Sequence, residues 1–153
     1  MTSSNMEVQI HFRNDAVGEL YRAAGVQTTG SAGFDLICVE DVHFEVQGQF
    51  QLIDLGVVIK VPEGCHSILM PRSSTFKKFK ILQTNGVGLI DEDYSGPEDF
   101  WMMPALYMGH GPSKIPRGSR ICQFILQKTL QIQSVNEFQP DGETRGGFGS
   151  TGV

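Results

Sequence analysis

The sequence predicts an all-β domain, a barrel or sandwich of about ten short strands. Three observations predict it. Apolar and polar residues alternate over many short stretches, the period of half-buried strands. Eighteen glycines and seven prolines in 153 residues supply frequent turns. Only one segment, Ser73–Phe79, reads well as a helix, and it is barely two turns long.

In chain order, Glu7–Arg13 alternates with Val8, Ile10 and Phe12 on one side, a half-buried strand. Residues 15–29 leave two readings open. Ala16, Val17, Leu20, Ala23 and Ala24 fit a short helix, whereas Gly18 and Gly25 fit an irregular extended segment. Gly33–Val39 is an apolar run broken by Asp35, and alternation resumes at Val42, Phe44 and Val46. Phe50 and Leu52, then Val57, Ile59 and Val61 after the kink at Asp54–Gly56, continue the pattern. Pro62-Glu63-Gly64 is a turn by composition, and Cys65–Met70 is a strand.

In Ser73–Phe79 the serines suit a cap, and Phe76 and Phe79 share a face. Lys80–Thr84 and Val87–Ile90 flank Asn85-Gly86, a strong signal for a two-residue hairpin turn. Residues 99–108 precede the turn Gly109-His110-Gly111-Pro112. Pro97 and Pro104 cannot donate to a ladder, so a bulge or altered edge is expected there. Trp101, Met102 and Met103 suit either the core or a subunit contact. Ser119–Lys128 and Thr129–Val135 read as two further strands. The chain divides into a barrel domain over 1–138 and a C-terminal arm over 139–153, which has little to bury besides Phe148.

Bulk properties narrow the function. A chain of 153 residues favours one domain able to bury its own core. The net charge of −5 argues against a nucleic-acid-coating protein. Cys38, Cys65 and Cys122 are odd in number, widely spaced and set among apolar neighbours, which fits buried reduced thiols. His11, His43, His66 and His110 lack metal-ligand spacing. The N-terminus carries no signal pattern, and no apolar run reaches membrane-spanning length. A soluble protein of a reducing compartment, the cytoplasm by default, is expected, without nucleic-acid or membrane partners.

Four features carry chemistry. Asp91, Glu92, Asp93 and Tyr94 crowd the end of the strand after the Asn85-Gly86 turn, either a site or a solvated acidic loop. Pro71-Arg72-Ser73-Ser74 opens the short helix and suits either a phosphate cradle or a plain cap. Alternation along Arg120-Ile121-Cys122-Gln123 places Ile121 and Gln123 on one face and Arg120 and Cys122 on the other. Gln123 is then either a satisfied core glutamine or one at a subunit contact. The tail 139–153, one phenylalanine among glycines, hydroxyls and Arg145, fits a frayed end or a closing lid.

Taken in order, Ala32–Leu36, Pro71–Ser74, Gly88–Gly96, Gly118–Gln123 and Arg145–Gly152 resemble the five motifs of the trimeric dUTPase family, with similar spacing. The resemblance implies a homotrimeric, distorted jelly-roll-like β-barrel with one short helix and a flexible C-terminal arm. It implies Mg2+-assisted hydrolysis of dUTP to dUMP and pyrophosphate, which limits uracil in DNA and supplies dUMP, in sites shared by three subunits. Carried over, Asp91 activates the water that attacks the α-phosphorus, and Tyr94 walls off a 2′-hydroxyl. Asn85 and the backbone of Gly88, Leu89, Ile90 and Asp91 read the uracil edge. Arg72, Ser73 and Ser74 hold phosphates, and Gln123 reaches them from a neighbouring subunit. Phe148 stacks on the base, and Gly149, Ser150 and Arg145 close over the γ-phosphate. Asp35 supports the water shell of Mg2+, an ion for which no all-protein cage is expected.

The chain departs from the family pattern in its tail, with two fewer residues between Arg145 and Phe148 than usual, and in the longer, unfamiliar segment 97–119. Residues before Ala32 are not family-like. A dCTP deaminase, which shares the fold, needs a glutamate soon after the third motif; only Glu98, beside Pro97, stands near that position. A regulator without catalysis is the other alternative, disfavoured by the presence of Asp91, Tyr94 and Phe148.

Overall fold

The computed structural model describes residues 6–25, 27–149 and 152, which hold eleven strands and two helices. Strand β1 (Gln9–Phe12) leads into α1 (Asp15–Ala24), followed by β2 (Phe34–Ile37), β3 (Val42–Phe44), β4 (Phe50–Asp54) and β5 (Val57–Lys60). Strand β6 (Cys65–Pro71) runs into α2 (Thr75–Phe79). The chain continues through β7 (Ile81–Gln83), β8 (Gly88–Ile90), β9 (Met102–Tyr107), β10 (Ser113–Ile115) and β11 (Arg120–Lys128). Every pairing is antiparallel, in the orders β2-β11-β6-β8, β4-β9-β7, β1-β5 and β10-β3. Most neighbours are far apart in sequence, and the sheets wrap as a jelly-roll-like barrel around one apolar core.

That core includes Leu36, Phe44, Leu55, Ile59, Ile81, Trp101, Met103 and Ile121, all nearly or wholly buried. Trp101 and Met103 are therefore core residues, while Met102 between them is exposed. The three thiols are free and buried. No helix among the described residues is long and apolar enough to cross a membrane.

Residues 15–24, left open by the sequence, form a helix, so the expected single short helix, α2, is joined by a longer one. Asn14 caps α1 by accepting from the Val17 N–H at 3.0 Å. Gly18, a poor helix former, serves close approach: a Cβ there would lie 3.2 Å from the Phe12 ring of β1. The buried face presents Tyr21, whose hydroxyl donates to the Leu55 carbonyl at 2.6 Å and accepts from the Ile37 N–H at 3.3 Å. Helix α2 is only five residues long, and its serine makes no side-chain cap. Buried Thr75 fixes the corner instead, accepting from Arg72 N–H at 2.9 Å and donating to the Ile121 carbonyl at 2.8 Å. Phe76 faces solvent rather than sharing the half-buried position of Phe79.

Three other expectations are revised. Asn85-Gly86 turns the chain, with Gly86 at φ +69°, but it does not close a hairpin: β7 pairs with β9 and β8 with β6. The turn carries the chain from one sheet to another, a pairing that no local signal reveals. Pro104 sits in register opposite Leu52 without a bulge. A strand residue aims its N–H and C=O to one side; the Pro104 carbonyl accepts from Thr84 N–H at 3.1 Å, so its missing donor falls just past the end of β7. Residues 129–135 form no strand. Leu130, Ile132, Val135 and Phe138 have the apolar content of one but are 77–94 % exposed, because nothing in a single chain pairs with them.

Burial gives the fold an alkaline weakness. It pushes the Cys122 thiol and the Tyr21 hydroxyl well above their ordinary ranges and raises the Cys38 thiol. Groups raised in the folded state ionise first in the unfolded chain. Their stabilisation is complete below about pH 8.5, the ordinary thiol value, and is lost as pH rises toward the folded values. Each thiol that ionises only on unfolding costs about 1.4 kcal/mol per pH unit above that point. The urea midpoint is expected to fall steadily between about pH 8.5 and 10; a constant midpoint would refute this.

Candidate functional site

Two groups of residues stand along β6, one beside its middle residues Ser67–Leu69 and one just past its end. The first is a slot of about 380 Å³. Its walls include Asn85, the backbone of Gly88, Leu89 and Ile90, Tyr94, and the apolar side chains Leu52, Leu69 and Met102. Strand β8 is an edge strand, so one row of its backbone groups has no ladder partner and faces outward. That is the surface able to read the edge of a flat heterocycle. Gly88 keeps it open, since a Cβ would lie 3.1 Å from Leu69 Cβ and 3.6 Å from Asn85 Nδ2.

Asp91 leaves the end of β8 exposed and shares a smaller concavity with Leu89, Ile90 and Tyr94. The acidic loop is tied down from several sides. Tyr94 N–H donates to the Asp91 carbonyl at 3.2 Å, and Glu92 accepts from Gly64 N–H at 2.9 Å. Asp99 accepts from Gly96 N–H at 2.7 Å. Of the three crowded acids Glu92 is thus a backbone clamp, as is Asp99 beyond them, while Asp91 and Asp93 have no side-chain hydrogen bond or ion pair among the described residues.

The second group surrounds Asp35 on β2. Arg72 Nε stands 3.1 Å from Asp35 Oδ1, and Arg120 Nη1 stands 3.3 Å from Oδ2. Gln123 lies directly opposite Asp35 in the β2–β11 ladder and donates to the Pro71 carbonyl at 3.3 Å. Simple alternation would set Arg120 and Gln123 on different faces. A register shift between Arg120 and Cys122 overrides it: Ile121 and Cys122 are both buried, and Arg120 and Gln123 both meet the Asp35 corner. With two guanidiniums and one carboxylate, the cluster keeps one net positive charge beside exposed Ser73 and half-buried Ser74. An anion is the ligand that such a corner suits.

Asp35 and Asp91 do not meet within one chain. Ile90 pairs with Ser67, and Asp91 continues away from Arg72. Five residue steps lead from Ser67 to Arg72 just past the end of β6, about 17 Å at strand rise. Arg145, Phe148 and Gly149 are exposed in the tail, far from helix and strand in sequence; Ser150 lies outside the described residues. Sequence reasoning missed Phe100, which also lines the slot, considered Glu98 only for the deaminase alternative, and left Trp101 between the core and a subunit contact. They belong to segment 97–119, expected to depart from the family pattern but inside the span that the family model matches, and the pairing of β9 with β4 helps to bring it there.

Among the described residues no three His, Cys, Asp or Glu side chains gather as metal ligands. Both Asp35 oxygens are engaged by arginines. The donors therefore fit a hydrated ion that arrives on a polyphosphate, contacted through water, and do not fit a resident ion.

Comparisons with known proteins agree with this geometry. The dUTPase family model matches residues 22–152. The SPbeta prophage-derived deoxyuridine 5′-triphosphate nucleotidohydrolase YosS of Bacillus subtilis (strain 168) is 44% identical over 120 residues, covering 78% of this chain and 82% of that protein. The deoxyuridine 5′-triphosphate nucleotidohydrolase of Haemophilus influenzae (strain PittEE) is 33% identical over 150 residues, 95% of this chain and 97% of its own. Among solved structures, the dUTPase of Streptococcus mutans superposes with a TM-score of 0.65 at 26% identity, over 72% of this chain and 88% of its own. A Staphylococcus bacteriophage 80alpha dUTPase carrying dUpNHpp superposes at 0.75 with 21% identity, over 97% of this chain and 100% of its own, a likeness of fold. The family model spans both the slot and the Asp35 corner, and the chain belongs to the dUTPase family.

Proposed function

We propose that the protein is a dUTP diphosphatase, hydrolysing dUTP to dUMP and pyrophosphate. The observation that carries this reading is the slot: an edge strand and Asn85 to read a pyrimidine, Tyr94 beside them, and the Asp91 carboxylate at the end of the same strand. Asn85 and the backbone of residues 88–91 pair with the uracil edge. The Tyr94 ring lies against the deoxyribose and excludes a 2′-hydroxyl. Asp91 holds a water and takes its proton as the oxygen attacks the α-phosphorus, and pyrophosphate leaves in line.

The phosphate side is supplied by the Asp35 corner of another copy, with Ser73, Ser74, Arg72 and Gln123 holding the chain of phosphates. The strand length between Asp91 and that corner supports a site built from several subunits, as does the exposed apolar arm after Lys128. A homotrimer follows from the family. Phe148 covers the base, with Arg145, Gly149 and Ser150 on the outer phosphates. Mg2+ carried on the triphosphate supplies charge neutralisation, with Asp35 contacting it through water. A soluble, cytoplasmic location is consistent with such a substrate.

Glu98 in the slot favours one other reading, deamination of dCTP, because a carboxylate beside a pyrimidine is a candidate proton carrier. A nucleotide panel separates the two. Pyrophosphate release from dUTP, dependent on Mg2+ and at least about a hundredfold faster than from UTP, dCTP or dTTP, is expected. Ammonia release from dCTP without dUTP hydrolysis would overturn the proposal.

Sharing of sites is read by complementation. Asp91→Asn and Ser73→Ala proteins, each expected to lose about 100-fold or more in kcat, should recover activity when unfolded together and refolded as mixed oligomers. Mixing without recovery would place each site within one chain. Deleting residues 145–153 should leave the thermal midpoint within about 2 °C but reduce turnover by about tenfold or more, since the described residues of the tail, 145–149 and 152, are all exposed. An unchanged rate would remove the lid.

A further inference from the structure

Strand β1 precedes residues 22–152, which the family model matches, and Arg13 just after it touches Phe100, a residue of the slot wall. The Arg13 guanidinium stacks on the Phe100 ring, with Cζ 3.9 Å from the ring centroid. Its Nη2 stands 2.6 Å from Asp54 Oδ2, and Asp54 Oδ1 accepts from Gly56 N–H at 2.8 Å. Arg13 is held at the backbone as well, donating its own N–H to the Gly56 carbonyl at 3.0 Å. His11 shares that side of the strand, its ring 6.3 Å from Phe100. The backbone on either side of Phe100 is also fixed. Asp99 is bonded to Gly96, and the Trp101 N–H donates to the Val57 carbonyl at 2.8 Å. The Arg13 guanidinium lies against the face of the half-buried Phe100 ring, with the His11 ring farther off.

We infer that Arg13 is a positioning residue for the slot: locked by Asp54, it holds the Phe100 ring as a preset wall for the pyrimidine. This rests on the slot being the dUTP site. A ring fixed before binding need not be ordered by the ligand, so its contribution falls on affinity. Phe100 lines the slot but not the smaller concavity around Asp91, so the chemical step should be little altered.

The test uses the full chain, with steady-state dUTP hydrolysis and binding of dUpNHpp followed by fluorescence of Trp101, the only tryptophan and itself part of the slot wall. Arg13→Ala should raise KM for dUTP and Kd for dUpNHpp together, by about two- to fivefold, with kcat within about twofold. Arg13→Lys, which keeps a cation over the ring, should recover part of the affinity. In a Phe100→Leu background, Arg13→Ala should add nothing. Equal losses in both backgrounds, or a loss confined to kcat, would overturn the proposal. Should Arg13→Ala fail to fold, Arg13→Gln, similar in length but uncharged, reads the same quantities. A parent protein that neither hydrolyses dUTP nor binds dUpNHpp would instead overturn the assignment of the slot, a distinct result.

Discussion

The ladder that β6 makes with both β11 and β8 is the constraint on which the rest depends. One strand presents the slot beside Ser67–Leu69 and the arginine corner past its end. A strand cannot be shortened or folded back without losing the pairing that buries Ser67 and Leu69. Asp91, which follows Ile90 opposite Ser67, is therefore held along the strand away from the arginine corner past Pro71.

Each half is preset by backbone as much as by side chains. Around Asp35 the departure from regular alternation in β11 turns Arg120 and Gln123 to the same corner, and two guanidiniums fix the carboxylate before any ligand arrives. A group already oriented needs little reorganisation when charge develops nearby. At the slot, the clamps from Glu92 to Gly64 and from Asp99 to Gly96 hold the acidic loop, so Asp91 and Tyr94 extend from a fixed frame.

Much of this was legible in the sequence, and the rest failed for physical reasons. Period-2 patterning located most of the strands, and the ordered motifs located the groups that the fold places in the slot and the Asp35 corner. Pairing was not legible: Asn85-Gly86 has the local chemistry of a hairpin, but the flanking strands find better partners elsewhere. Gly18 looked like a helix breaker because its value lies in contact with Phe12, a neighbour no local window contains. The single extra residue at Ile121 flipped a face assignment that strict alternation had made. Residues 129–135 carry a strand's composition and no strand, because pairing needs a partner that one copy does not offer.

The bare arm after Lys128 has a consequence for how the protein lives in solution. Leu130, Ile132, Val135 and Phe138 place four large apolar side chains in water on a segment with no ladder of its own. For a lone protomer that surface is a liability, open to any sheet edge it meets. Any partner surface that covered the arm would stabilise the fold by mass action, with an effect that depends on concentration.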